Sequence, residues 1–235
     1  MRHFLGFIAR KAVRRLAPVF VSACVWRWVG TVTSLERHRQ DRARRQAAVR
    51  PGVVRATLFF DLASPYTYLV AERAERLFPG LQWRPACAIA LHCGDLTGEV
   101  TWGAVAARAE LLSLPLVWPQ ERCSYPVPAA MRVAALAVER GSAGAFVLAA
   151  SRLAFCGGFD LDDPEILAEA AAAAGIGLRA TLEAARDSGR DGPIEQTGRL
   201  LLVSGADRLP ALRLGRMLFC GEDRLAEAAA ARAAV

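Results

Sequence analysis

The 235-residue sequence contains no asparagine and one lysine, Lys11, against an abundance of alanine and arginine. These absences read as a compositional bias rather than as a functional signal. Its six cysteines (Cys24, Cys87, Cys93, Cys123, Cys156 and Cys220) include no C-x-x-C pair and no regular framework. Dithiol exchange through a vicinal pair is thereby excluded, and most of these thiols sit in apolar segments, as buried reduced cysteines do. No long apolar run is present either. The stretch free of charge from Leu16 to Trp26 is about half the ~20 residues that a membrane span requires.

Charge is unevenly placed. The chain carries 30 Lys+Arg and 23 Asp+Glu, a net charge of +7, and the positive excess lies within the first fifty residues. The expected organisation is a basic N-terminal extension over residues 1–52 followed by one main domain over 53–235, a length suited to a single sizeable core. In the extension, Leu5, Ile8, Ala12 and Leu16 recur near helical spacing with basic residues between them. Residues 1–30 suit either a helix on an anionic membrane surface or a solvated extension. The segment before Cys24 also has the look of a lipoprotein cleavage box, with Pro18 interrupting its short core. The arginine run "RHRQDRARRQ" lacks interleaved aromatic side chains, so it reads as a solvated linker and nucleic acid is not an expected partner.

From Val53 the periodicity is clearer. "VVRATLFFD", Val53 to Asp61, reads as a buried strand, Pro65 to Leu77 as a helix, and "LQWRPAC", Leu81 to Cys87, as a second strand parallel to the first. A helical region follows over about 101–202, punctuated by proline and glycine, with Asp163-Pro164 as a helix start. "LPALRLGRMLFCG" reads as a hairpin turning at Gly215-Arg216, and a helix from Glu222 closes the chain. The order βαβ, helices, ββα is that of an α/β thioredoxin-like sheet with an all-helical insertion between its halves. Pro210 then stands where that fold places its cis-proline.

Ser64 lies at the first strand-to-helix junction, in "FFDLASPYTYL". Serine before a first-turn proline is a common helix start, with the hydroxyl accepting from a backbone N–H. In the thioredoxin order the same junction is where redox proteins place an attacking cysteine, because a helix N-terminus stabilises a thiolate. A junction that favours a thiolate and owns no thiol can accept one from a ligand. Lowering a thiol pKa by one to two from about 8.5 corresponds to ~1.4–2.7 kcal/mol, within reach of one hydrogen bond and a helix terminus.

The segments "FFDLASPYTYL", "RPACAIAL", "FDLDDPEIL", "RLPAL" and "FCGEDRLAEA", in this order, resemble the kappa-class glutathione transferase and 2-hydroxychromene-2-carboxylate isomerase family. The resemblance implies glutathione as cofactor and Ser64 as the catalytic hydroxyl at its sulfur. It implies that Leu209, before Pro210, pairs with the cysteinyl unit through its backbone, and that the turn at Glu222 and Asp223 holds the γ-glutamyl end. Read without the resemblance, Glu222 and Asp223 are ordinary first-turn helix acids. Asp95 stands where the family has an asparagine ligand, no lysine after Lys11 supplies the usual cation, and Asp207-Arg208 replaces small apolar residues. Cys87, His92 and Cys93 lack a fourth ligand at zinc spacing, so no metal is expected.

The resulting expectation is a cytoplasmic glutathione-dependent isomerase or transferase acting on a small-molecule electrophile or conjugated enone, with a homodimer as its assembly. Its acceptor pocket is expected between the Ser64 helix and the insertion, with Tyr66, Trp102 and Trp118 as walls. The alternative is a non-catalytic thioredoxin-fold binding protein at the membrane surface. A disulfide oxidoreductase is disfavoured by the missing C-x-x-C.

Overall fold

In the computed structural model of the chain, residues 55–91, 102–117 and 126–233 are described. The expected boundary near Pro51-Gly52 and the extension before it lie outside them, as do Asp95, His92, Cys93 and Trp118. Strand β1 (Ala56–Phe60) leads into helix α1 (Pro65–Leu77) and strand β2 (Gln82–Pro85). The insertion holds α2 (Trp102–Leu111), α3 (Pro128–Glu139), α4 (Ala143–Phe155), α5 (Pro164–Ala173), α6 (Leu178–Arg186) and α7 (Asp191–Val203). The chain then forms β3 (Ala211–Leu214), β4 (Met217–Cys220) and α8 (Leu225–Ala233).

The sheet order is β2-β1-β3-β4, with β1 parallel to β2 and antiparallel to β3. This is the thioredoxin-like α/β fold with its helical insertion. Among the described residues both strands of the first half are shorter than the sequence suggests, and beyond their ends the Asp61 carboxylate accepts from Ala63 N and Ala88 N. The hairpin turns at Gly215, whose φ of 60° places a left-handed residue at the first central position. Glycine is the residue that adopts this conformation at little cost.

Alternation along β1 sends its side chains to two cores. Leu58 and Phe60 join Trp83, Leu212, Phe219 and the inner faces of α3, α4 and α5 in the larger one. Phe59 lies on the other face with Leu91, Leu201 and Leu209. A third cluster joins Tyr68 and Leu69 of α1 to Val105 and Ala109 of α2 and Phe155 of α4. There the Tyr68 hydroxyl donates to the Pro115 carbonyl at 2.8 Å, which ties the first helix to the chain after α2. Truncating a fully buried aromatic such as Phe60 to alanine costs about 3–5 kcal/mol.

Strand register decides where the site forms. Phe60 pairs with Pro85, Phe59 with Ala211, and Ala211 with Cys220. The residues that follow β1, β2 and β4 and those that precede β3 therefore gather at one end of the sheet.

Candidate functional site

Ser64 occupies the N-cap of α1 with extended dihedrals, and Pro65 is the first helical residue, as the sequence implies. The hydroxyl, however, makes no capping hydrogen bond. Asp61 and Thr67 hold the turn before the helix, without capping its first N–H groups. The Asp61 carbonyl accepts from Ser64 N at 3.1 Å and from the Thr67 hydroxyl at 2.7 Å, while Thr67 N donates to the Ser64 carbonyl at 3.0 Å. The Asp61 carboxylate accepts from Ala63 N at 3.0 Å and from Ala88 N at 2.9 Å, which ties this loop to the one after β2. Asp61 is buried, and desolvation pushes its pKa up against the opposing effect of those two N–H groups. The loop is thus held by backbone and by Asp61, leaving the Ser64 side chain half-buried and without a partner among the described residues.

The Leu209–Pro210 peptide is cis. Its Pro210 carbonyl accepts from Gly221 N at 2.9 Å, so the turn after β4 is fastened to the strand that carries the proline. Gly221 has φ of 95°, a conformation open to glycine, and it swings the next residue inward. Glu222 is consequently buried, 3% exposed, and its carboxylate is held by Arg73 of α1 and by Arg108 of α2, the latter through Nε at 2.6 Å. The expected terminal helix therefore opens as a 3₁₀ turn over Glu222–Arg224 before α8.

These elements enclose a cavity of about 470 Å³ lined by Tyr66, Leu209, Glu222 and Asp223, with Ala104, Arg108, Arg208 and Gly221 closing it. It brings together Leu209, Glu222 and Asp223 of the sequence-derived set. Pro210 supports it from behind through Gly221, and Ser64 lies two positions before its Tyr66 wall. Trp102 packs in the cluster around Tyr68 with Tyr66. The Tyr66 hydroxyl is pushed to a higher pKa by burial and then by the negative charge of Glu222. A second cavity of about 210 Å³ reaches the Asp61 carboxylate between Cys87, Met131 and Ile194. Among the described residues no cluster of His, Cys, Asp and Glu could hold a metal. No helix there is long and apolar enough to cross a membrane.

Arg73, Arg108 and Asp61 are the site residues that sequence reasoning missed. In an arginine-rich chain neither arginine stands out, and only the fold reveals that both reach Glu222. Asp61 had a signal, since an acid ending an apolar strand has to be satisfied by something nearby.

A βαβ–ββα sheet with a helix N-terminus and a cis-proline at one end, and a helical insertion between its halves that holds six α-helices among the described residues, defines a thioredoxin-fold protein of the disulfide-oxidoreductase-like group. The chain belongs to the DsbA-like thioredoxin domain family, which it matches over residues 56–229. Among solved structures, a 2-hydroxychromene-2-carboxylate isomerase is similar with a TM-score of 0.63 and 18% identity, covering 76% of this chain and 94% of that one. The cytosolic disulfide reductase DsbM of Pseudomonas aeruginosa, solved with glutathione, is similar with a TM-score of 0.57 and 18% identity, covering 77% and 96%. At these identities the likeness concerns the fold. No curated protein matches the chain.

Proposed function

We propose that the chain is a glutathione-dependent isomerase or transferase whose Ser64 hydroxyl stabilises the ligand's thiolate. The observation that carries this reading is the uncommitted Ser64 hydroxyl at the N-terminus of a helix, in a turn that Asp61 and Thr67 hold without it. A hydroxyl kept free beside the positive end of a helix is suited to donate to an anion. When bound, glutathione supplies the nucleophilic sulfur, which adds reversibly to a conjugated enone or irreversibly to another electrophile.

The residues of the chain fit such a ligand. Leu209, before the cis-proline, offers its backbone to an extended peptide at the cavity wall. Arg108 and Arg73 hold Glu222 in place, which keeps the turn bearing Asp223 at the other end of the cavity. Tyr66, a phenol that is neutral at physiological pH and that burial keeps so, can donate a hydrogen bond to the acceptor molecule without adding charge. The similarity to an isomerase structure and to one solved with glutathione supports this reading without deciding the substrate.

The test is the thiol pKa of glutathione in the presence of excess protein, followed by thiolate absorbance. The reading expects it to fall by about one to two from a reference near 8.5 and to return by about one in Ser64→Ala. Binding with an unshifted pKa in the wild-type protein would remove the catalytic role of Ser64. No binding at all would favour a thioredoxin-fold protein with another ligand.

A further inference from the structure

We infer that the cavity of about 210 Å³ at Asp61 is a binding site for a small primary amine with an apolar body, its ammonium seated on the Asp61 carboxylate. Such a ligand binds whether or not the chain also takes glutathione. The cavity lies between the turn after β1, the loop after β2 and the first turns of α3 and α7. Its lining grades from Asp61, Met131 and Ile194, which are buried, to Ile89, Pro126 and Glu195, which are exposed, so a ligand enters from solvent. Cys87 N donates to the Ile194 carbonyl at 3.4 Å, and at Gly198 a Cβ would stand 2.6 Å from the Cys87 carbonyl oxygen. Helix α7 and the loop after β2 thus touch through backbone, which fixes one wall of the cavity against another.

Asp61 is 7% exposed, and its carboxylate accepts from Ala63 N through Oδ1 and from Ala88 N through Oδ2. A carboxylate oxygen can accept more than one hydrogen bond, so both retain capacity. Buried carboxylates are as a rule paired with a cation. Yet among the described residues no arginine pairs with Asp61, in a chain that carries 30 Lys+Arg. The other two acids of the lining are satisfied. Asp191 holds Arg132 through both oxygens, at 2.7 and 2.5 Å, and Glu195 pairs with Arg199 one turn further along α7. No lysine or arginine among the described residues lines the cavity to serve Asp61 in the same way.

A buried carboxylate without a cation, facing apolar walls, defines its ligand. Among the described residues no group of three His, Cys, Asp or Glu could hold a metal, so the missing cation is not a bare ion. Walls of Ile89, Val127, Met131 and Ile194 call instead for a carbon body. An apolar cavity of about 150 Å³ admits benzene, and the volume of about 210 Å³ here leaves room for a one-carbon arm bearing the amine. The ammonium donates to the Asp61 oxygens in a charge-assisted hydrogen bond, while the Met131 thioether offers a polarizable surface to the ring. The same carboxylate ties the Ser64 turn to the loop after β2, so the ligand bears on the group that holds Ser64 in place.

The experiment titrates the full chain, labelled with ¹³C in its methionine methyl groups, with benzylamine and with benzyl alcohol, the neutral analogue, at pH 7. Met131 lines the cavity, and Met217 on β4, at the other edge of the sheet from β2, is the internal control. The Met131 resonance should shift saturably with benzylamine while that of Met217 stays in place, and benzyl alcohol should bind about tenfold more weakly. Asp61→Asn should bring the amine down to the level of the alcohol, whereas Glu195→Gln should change its affinity by less than about twofold. Val127→Phe fills the cavity and leaves Asp61 intact, so it should abolish the Met131 shift even if Asp61→Asn fails to fold. Alcohol and amine binding equally to the wild-type protein would overturn the pairing with Asp61. No Met131 shift with either probe, or a shift that survives Val127→Phe, would overturn the site, and neither result touches the glutathione reading.

Discussion

Arg108 of α2 and Glu222 of the turn after β4 are 114 positions apart and joined by two hydrogen bonds, Nε to Oε2 at 2.6 Å and Nη2 to Oε1 at 3.2 Å. The contact spans the join between the inserted helices and the second half of the thioredoxin sheet. With Arg73 of α1 on the same carboxylate, it fastens three separate stretches of chain around one buried charge.

That arrangement makes the stability of the cavity wall depend on Glu222. Glu222→Gln leaves two guanidinium groups facing an uncharged amide, and because both keep access to water, 20% and 35% exposed, the cost lies below the ~3–5 kcal/mol of breaking a fully buried pair. Arg108→Ala should cost less, because Arg108 is 35% exposed and Arg73 remains to hold the carboxylate. Urea unfolding of the two variants should rank them in that order. Equal effects would mean that Arg73 does not sustain Glu222 alone.

The Ser64 junction invites a comparison of neighbouring hydroxyls. Ser64 makes no capping bond, so Ser64→Ala should change stability by no more than about 0.5 kcal/mol, the range of an ordinary surface substitution. Thr67 is fully buried and donates to the Asp61 carbonyl at 2.7 Å, so Thr67→Val, similar in volume, should cost about 1–2 kcal/mol. Chemical denaturation at pH 7 reads both. The reverse ranking would restore the simple helix-cap role to Ser64, for which the loss is ~0.5–2 kcal/mol.

This inversion shows where the sequence is legible and where it is not. Strand order, the insertion and the position of Pro210 follow from local signals: β-branched runs, a proline after serine, glycine at a hairpin. Each of these acts within a few residues of itself. The partner of Ser64 is different, because the competition between Ser64, Thr67 and the Asp61 backbone for the same few N–H and C=O groups is settled in three dimensions. The same holds for Glu222, which by sequence is an acid at the start of a helix. Its burial depends on Gly221 turning it inward and on two arginines from distant helices arriving at one point.

The buried carboxyl of Asp61 yields the pH dependence. Burial raises its pKa in the folded protein above the ordinary 3.8, despite the N–H groups of Ala63 and Ala88 that favour the ionised form. Below about 3.8 both states are protonated and the group contributes nothing. As the pH rises from there, the unfolded chain ionises first while the folded one still holds its proton, so the folded state binds more protons and stability falls with pH. The decline ends once the pH exceeds the raised folded value, and the loss is constant beyond it. Carboxylates with lowered values, Asp191 beside Arg132 among them, slope the opposite way, so the quantity to measure is a difference. Asp61→Asn cannot ionise, and the unfolding free energy of wild type minus that of Asp61→Asn should decrease as the pH is raised from about 4 towards neutrality and then level off. Urea titrations at half-unit pH intervals give this difference directly. A difference that climbs with pH would mean that the Ala63 and Ala88 hydrogen bonds outweigh desolvation and that Asp61 is held ionised beneath the Ser64 loop.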